Sequence, residues 1–346
     1  MIVIHAGLKK CGSASIQYFL SENCDQLRQI SLEYPTIGRR NEEGGLYRGH
    51  HNFAHEIQRS KKFAEGKGTL AECSHFWSRS DCRVMMFSSE LFEDTEIHEA
   101  LVMREMLLRA RSTEEFCIYF VIRDLVDLVP SSYSQKIKYG LQSYDFDTFF
   151  TARMKERRVN FFDTVQRWAE AFGWENIEAR VLDSGNLLNG DLTDDFLAIC
   201  GITNESDKHA LVRTGVQNRA PGWRVLEATR ALCMAGDGSL PRHPLRRKLK
   251  ARLGDREFGM ALGRCAEAAG TICGWNSDRG CYLTRGQAQH CNKKFSDAVL
   301  RLNEKLLRPL PLPTGLDERG FCEREFLPDA THIAEDEVWE LLRGQM

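Results

Sequence analysis

Between Gly7 and Ser15 the chain reads Gly-Leu-Lys-Lys-Cys-Gly-Ser-Ala-Ser. Two glycines bracket a lysine pair, and hydroxyls follow at Ser13 and Ser15. A glycine turn that opens a helix points unpaired backbone N–H groups at one spot. Hydroxyls and a cation beside them complete a seat for a phosphate-like anion. A second group is Arg123-Asp124, with Ser131 in the helix that follows. Arginine grips phosphate oxygens through two parallel N–H bonds, and Ser131 adds a hydroxyl and a helix-terminal N–H. A third group holds proton acceptors: Glu90, which follows Ser88-Ser89, and the histidines His50, His51 and His55. A carboxylate or a neutral imidazole takes up a hydroxyl proton near neutral pH. Glu90 is the first candidate for a base and His51 the reserve.

These residues need elements to hold them. Ile2 to Ala6 is a short apolar run that predicts a strand. From Ser13 the apolar residues Ile16, Phe19, Leu20, Cys24, Leu27 and Ile30 recur at helical spacing, with Ser13 suited to the N-terminus. The chain thus opens strand, glycine loop, helix, the phosphate-binding half of a βαβ unit. Residues 36–81 are polar and irregular, and loops with short helices over the rim of a site are expected there. Further strands are expected at Arg83–Ser88, Phe116–Ile122 and Ile177–Leu182, and helices over about 96–111, 161–172 and 192–200. Phe116–Ile122 is apolar throughout, as a strand buried on both faces of a parallel sheet must be. A helix is expected to start near Asp127 to Pro130, because proline fits a first turn, and to stop at Gly140. Strands separated by helices predict an α/β fold, a P-loop-type parallel sheet flanked by helices. That core is expected over 1–215. A helical C-terminal lobe is expected over 216–346, from segments 222–235, 243–269, 284–308 and 335–343.

Composition narrows the partners. A net charge of −2 over 346 residues gives no global attraction to nucleic acid or to an anionic membrane, so an anion site must be local. The run Arg242–Arg252 is the strongest basic patch; a solvated helix face with Leu245, Leu249 and Leu253 turned inward accounts for it, and a bound anionic glycan is the other reading. Trp223 and Trp275 belong either to the core or to a sugar-stacking surface. No apolar run approaches the roughly 20 residues needed to span a bilayer, and no basic segment precedes the first apolar run. A cytoplasmic protein is the expectation. The 12 cysteines include no C-x-x-C pair, so free thiols are expected and no metal site is implied.

Lys10-Cys11-Gly12-Ser13-Ala14-Ser15 resembles the 5′-phosphosulfate loop of the sulfotransferase superfamily. Arg123-Asp124 with Ser131 and Tyr133 resembles the 3′-phosphate motif of the same family, and Phe87-Ser88-Ser89-Glu90, Trp168–Gly173 with Val181–Asp183, and Val216–Arg219 resemble segments of its bacterial members. The likeness covers about residues 1–220. It implies a transferase that uses 3′-phosphoadenosine 5′-phosphosulfate (PAPS) and releases adenosine 3′,5′-bisphosphate. The acceptor implied is a hydroxyl of a carbohydrate or small molecule. Lys10 would neutralise the leaving phosphate. Residues 10–15 would hold the 5′-phosphosulfate, Arg123 and Ser131 the 3′-phosphate, and Glu90 would act as base. The sequence departs from the pattern at Cys11 and Ala14, where hydroxyl residues are frequent, and at Leu125, where proline is usual. The nucleotide-clamping motif of animal cytosolic members is absent.

Two other classes stay open at this level. The loop also fits Walker A spacing, but Ser13 stands where a kinase or NTPase carries its lysine. A nucleotide-binding protein without turnover is the second alternative.

Overall fold

The computed structural model describes residues 1–40, 45–109, 115–138, 144–213, 225–227, 229–230, 282–313 and 316. Five strands form one sheet: β1 (Ile2–His5), β2 (Leu32–Glu33), β3 (Val84–Ser88), β4 (Phe116–Ile122) and β5 (Ile177–Val181). Their order is β2-β3-β1-β4-β5, and every pairing is parallel. Every residue of β1, β3 and β4 is buried, which is why their sequences lack polar alternation. In the register, His5 of β1 lies level with Ser88 of β3 and Tyr119 of β4. The loops that leave β1 and β3 therefore emerge side by side, and β4 runs three residues farther before Arg123. Chain order reverses direction across β1, and the crevice beyond the carboxyl ends of such strands is where open α/β sheets bind ligands.

Helices cover the sheet. α1 (Ser13–Glu22) buries Ser13, Ile16, Gln17, Phe19 and Leu20, one continuous face. α2 (Cys24–Gln29) leads into β2. The described residues of the polar stretch 36–81 include the short helices α3 (His51–Ile57) and α4 (Leu70–Trp77), the second opened by a Thr69/Glu72 capping box. α5 (Ile97–Leu108) packs against α8 (Phe161–Phe172), whose Phe161, Val165, Trp168 and Phe172 are buried. α9 (Leu192–Ile199) packs against α1, and α10 (Glu205–His209) follows.

Several elements depart from expectation: the helix read from Ser13 through Ile30 breaks at Asn23 into α1 and α2, and α10 has no counterpart in the sequence reading. β2 has two residues and no periodicity to betray it. α6 (Leu125–Lys138) starts earlier than Asp127, so Pro130 falls inside it. An interior proline costs about 3 kcal/mol, whereas burying a leucine or valine side chain contributes about 1.5–3 kcal/mol each. The added turn buries Leu125 and Val126, which offsets the proline. α7 (Phe146–Arg153), capped by Asp145, was not anticipated at all.

The described residues of Met1–Asp124, Asn160–Gln217 and Lys294–Pro313 form one compact unit, which contains the sheet. Those of Leu125–Val159, Asn218–Lys293 and Thr314–Met346 form a second. Within the second unit, Tyr133 meets Phe146, Phe149 and Tyr282 ring to ring, and its hydroxyl donates to Glu227, itself paired with Arg230. Of the expected C-terminal helices, the segment 284–308 appears as α11 (Arg285–Asn303), and residues 225–227 and 229–230 are helical. The segments 243–269 and 335–343, the rest of 222–235, the run 242–252, Trp223, Trp275, Gly140 and residues 216–219 lie outside the described residues. All seven described cysteines are free. Among the described residues no helix is long and apolar enough to cross a membrane.

Candidate active site

The loop after β1 is built from unusual backbone. Gly7 has φ 93°, Lys10 φ 67° and Gly12 φ 88°. At Gly7 a side chain would press on the Glu90 backbone at 3.4 Å, and at Gly12 it would collide with Leu192 Cδ2. Glycine at both places allows the turn and the close approach. Gly12 is the N-terminal cap of α1, and Ser15 and Ile16 donate their N–H groups to its carbonyl at 2.9 and 3.2 Å. The N–H groups of Ser13 and Ala14 precede the first intrahelical bonds of α1, as the first donors of a helix do. Ala14 is exposed and Ser15 half-buried, whereas Ser13 is buried and donates its hydroxyl to the Leu8 carbonyl at 3.2 Å. Cys11 is buried, its N–H on Leu8 O at 3.3 Å and its thiol against Lys9 O. The two lysines divide. Lys9 is tied to the carboxylates of Glu93 at 3.2 Å and Asp94 at 2.7 Å. Lys10 adopts the left-handed turn, and its carbonyl accepts from Arg123 Nη1 at 3.3 Å. Arg123 at the end of β4 thus braces the glycine loop. Ser131 lies in α6, in the second unit.

Glu90 opens a 3-10 turn, Glu90–Asp94, directly after β3. That turn is held from several sides. Arg167 of α8, buried, donates to the carbonyls of Glu93 at 3.0 Å and Thr95 at 2.8 Å; Trp168 Nε1 donates to Phe92 O at 3.2 Å; Gln58 donates to Leu91 O at 2.9 Å. The carboxylate itself accepts from Gln17 Nε2 at 2.9 Å through Oε2, while Oε1 faces His51 Nε2 at 3.9 Å. Burial opposes its charge, but His51, the Gln17 bond and the turn's own N–H more than offset this and hold its pKa below the usual carboxylate value. His51 Nδ1 lies 2.9 Å from Ser89 Oγ, which also accepts the Leu91 N–H at 3.2 Å. A hydroxyl already accepting from Leu91 serves best as donor to Nδ1, and that tautomer turns the Nε2 proton toward Glu90.

The other histidines separate by burial. His50 is fully buried, its Nε2 on Pro35 O at 3.0 Å and its Nδ1 accepting the Ser88 N–H at 3.3 Å; burial holds it neutral, well below the ordinary histidine pKa. His55 is lowered by burial and by Lys62. Only His51 of the three reaches Glu90 among the described residues. Sequence reasoning singled out Glu90 and His51 but gave no role to Gln17, Ser89 or His5. Gln17 had a usable signal, being a polar residue on the apolar stripe of α1. His5, inside β1, bonds Ser88 Oγ at 2.8 Å through Nδ1, and its Nε2 is buried. Burial lowers its pKa to about 4 against the pull of the Glu90 charge. Among the described residues no group of three or more His, Cys, Asp or Glu side chains could hold a metal.

No family model matches the chain, and no curated protein matches it. Among solved structures it is similar to a sulfotransferase from Alicyclobacillus acidocaldarius, at 15% identity, over 77% of this chain and 94% of that one, with a TM-score of 0.33. A likeness of that size carries no argument about the reaction, which rests on the residues themselves.

Proposed function

We propose that the protein is a PAPS-dependent sulfotransferase acting on a hydroxyl of a carbohydrate or small molecule. The observation that carries this reading is the tie between Arg123 and the Lys10 carbonyl, which sets a cation and the open N-terminus of α1 together beyond the ends of β4 and β1. The set fits the donor: N–H groups of Ser13 and Ala14 for a 5′-terminal phosphate, and a guanidinium for the further phosphate that distinguishes PAPS from ATP. The donor supplies a sulfuryl group activated on a phosphate leaving group. Glu90, ionised and held by Gln17, accepts the proton of the acceptor hydroxyl as its oxygen bonds to sulfur. The Lys10 ammonium neutralises charge gathering on the departing phosphate oxygen as the S–O bond breaks. His51 steadies Glu90 from the other oxygen. The kinase or NTPase alternative asks for a lysine where Ser13 stands, and Ser13 spends its hydroxyl on Leu8 O.

Calorimetric titration with adenosine 3′,5′-bisphosphate, 5′-AMP and ATP tests the reading. Tight binding of the bisphosphate that falls at least tenfold without the 3′-phosphate, or in Arg123→Ala, is the expected result. Equal affinity for all three nucleotides would overturn it.

A further inference from the structure

Outside the loop and the base, one cationic and aromatic surface has no role in the scheme above. Arg48 lays its guanidinium over the Tyr18 ring, 4.0 Å from the centroid. It is exposed, and no carboxylate pairs with it among the described residues. Beside it Tyr47 is 47% exposed and Leu46 49%, and the Lys67 ammonium lies 5.7 Å from the Tyr47 ring centre. The backbone here is fastened. Buried Tyr34 donates its hydroxyl to Arg48 O at 2.6 Å, Tyr47 N–H donates to Arg39 O at 2.6 Å, and Arg40 and Leu46 form an antiparallel bridge.

We propose that the Tyr18–Arg48 stack, with Tyr47 beside it, binds an anionic pyranoside, a sugar ring bearing a carboxylate or a sulfate, and is the acceptor subsite. The chemistry is specific. A guanidinium stacked on an aromatic face keeps its N–H edge free for a bidentate anion and has already lost the rotamer freedom that binding removes. An exposed tyrosine ring beside it offers a flat apolar face to a pyranose. The place is also right. Gly49 has no room for a side chain, which would meet Gln17 Nε2 at 2.8 Å and His51 Cε1 at 2.9 Å, and Gln17 bonds Glu90. From Arg48 the chain passes through Gly49 and His50 to His51, so the Cα atoms of Arg48 and His51 lie within about 11 Å of each other, three residues at about 3.3–3.6 Å each. A ring held on the stack presents a hydroxyl toward Glu90.

The assignment of the stack to the acceptor rests on the sulfotransferase reading; the anion preference does not. The probes are p-nitrophenyl β-D-glucuronide, its 6-sulfated glucoside counterpart and the neutral p-nitrophenyl β-D-glucoside, titrated into the full chain at low salt. Adenosine 3′,5′-bisphosphate is titrated in parallel. The charged glycosides are expected to bind at least tenfold tighter than the neutral one. Arg48→Gln is expected to abolish that preference, Tyr18→Leu to weaken all three, and neither to change bisphosphate affinity. The two charged probes separate carboxylate from sulfate recognition. Equal binding of charged and neutral glycosides, a preference that survives Arg48→Gln, or weaker bisphosphate binding in Arg48→Gln would each overturn the proposal, the last by moving Arg48 to the donor. If wild type ignores the bisphosphate yet keeps the Arg48-dependent preference, the transfer reading fails and the anionic glycoside site stands.

Discussion

Gln17 donates a 2.9 Å hydrogen bond to Glu90 from the buried face of the helix that follows the glycine loop. In the proposed reaction this one helix would serve both ends, its N-terminus toward the donor and its second turn on the base. Removing the donor takes a stabilising bond from the charged carboxylate and raises its pKa. In Gln17→Leu the acid limb of the kcat–pH profile is expected to move to higher pH, with bisphosphate affinity unchanged. Glu90→Gln is expected to lower kcat by about 10²–10⁴-fold, the usual contribution of a general base. An unmoved acid limb in Gln17→Leu would take Glu90 out of the base role.

Ser89 acts at one remove, through His51. Its hydroxyl is shared between Leu91 N–H and His51 Nδ1, and it is fully buried. Ser89→Ala frees the imidazole to adopt the other tautomer, which turns a lone pair rather than a proton toward Glu90. We expect a fall in kcat of about tenfold with little change in KM, recovery in Ser89→Thr, and a stability loss near 1 kcal/mol from the lost cap. A purely structural serine would lower stability and leave kcat per folded molecule untouched.

Gly12 has no substitute. Alanine there must hold φ near 88° and push Leu192 from its place. The expected destabilisation is about 2 kcal/mol, read as a lower urea midpoint, together with loss of nucleotide binding from the distorted turn. Leu192→Ala in the same background relieves the clash and is expected to recover part of the stability but not the backbone strain.

The strand, glycine loop and helix that open the chain were legible because each is a local pattern: an apolar run, a pair of glycines, apolar residues at helical spacing. Phe116–Ile122 was legible for the same reason. β2 was not, since Leu32–Glu33 is an edge pairing fixed by its neighbour β3 rather than by its own residues. The start of α6 was misplaced because the local rule against interior proline was outweighed by burial of Leu125 and Val126, a tertiary gain that spacing alone does not show. In the site, Glu90 and His51 were named from residue type. Their meeting, and the parts of Gln17 and Ser89, depend on contacts between residues dozens of positions apart.

His5 offers a test of the buried base of the site through stability rather than activity. Its folded pKa is lowered by burial to about 4 from 6.5. Below about pH 6.5 the unfolded chain takes up a proton that the folded chain refuses, so the contribution of His5 to stability falls as pH drops from 6.5 toward 4 and levels off below that. The separation corresponds to about 3 kcal/mol at the acid end. His50, lowered by burial in the same direction, adds to the slope. His5→Asn keeps a side chain able to bond Ser88 and removes one titration. Its urea midpoint is expected to be less sensitive to pH than that of wild type between 6.5 and 4. Parallel curves for the two proteins across that window would show that His5 takes up its proton in the folded chain as readily as in the unfolded one, and that burial does not hold it neutral.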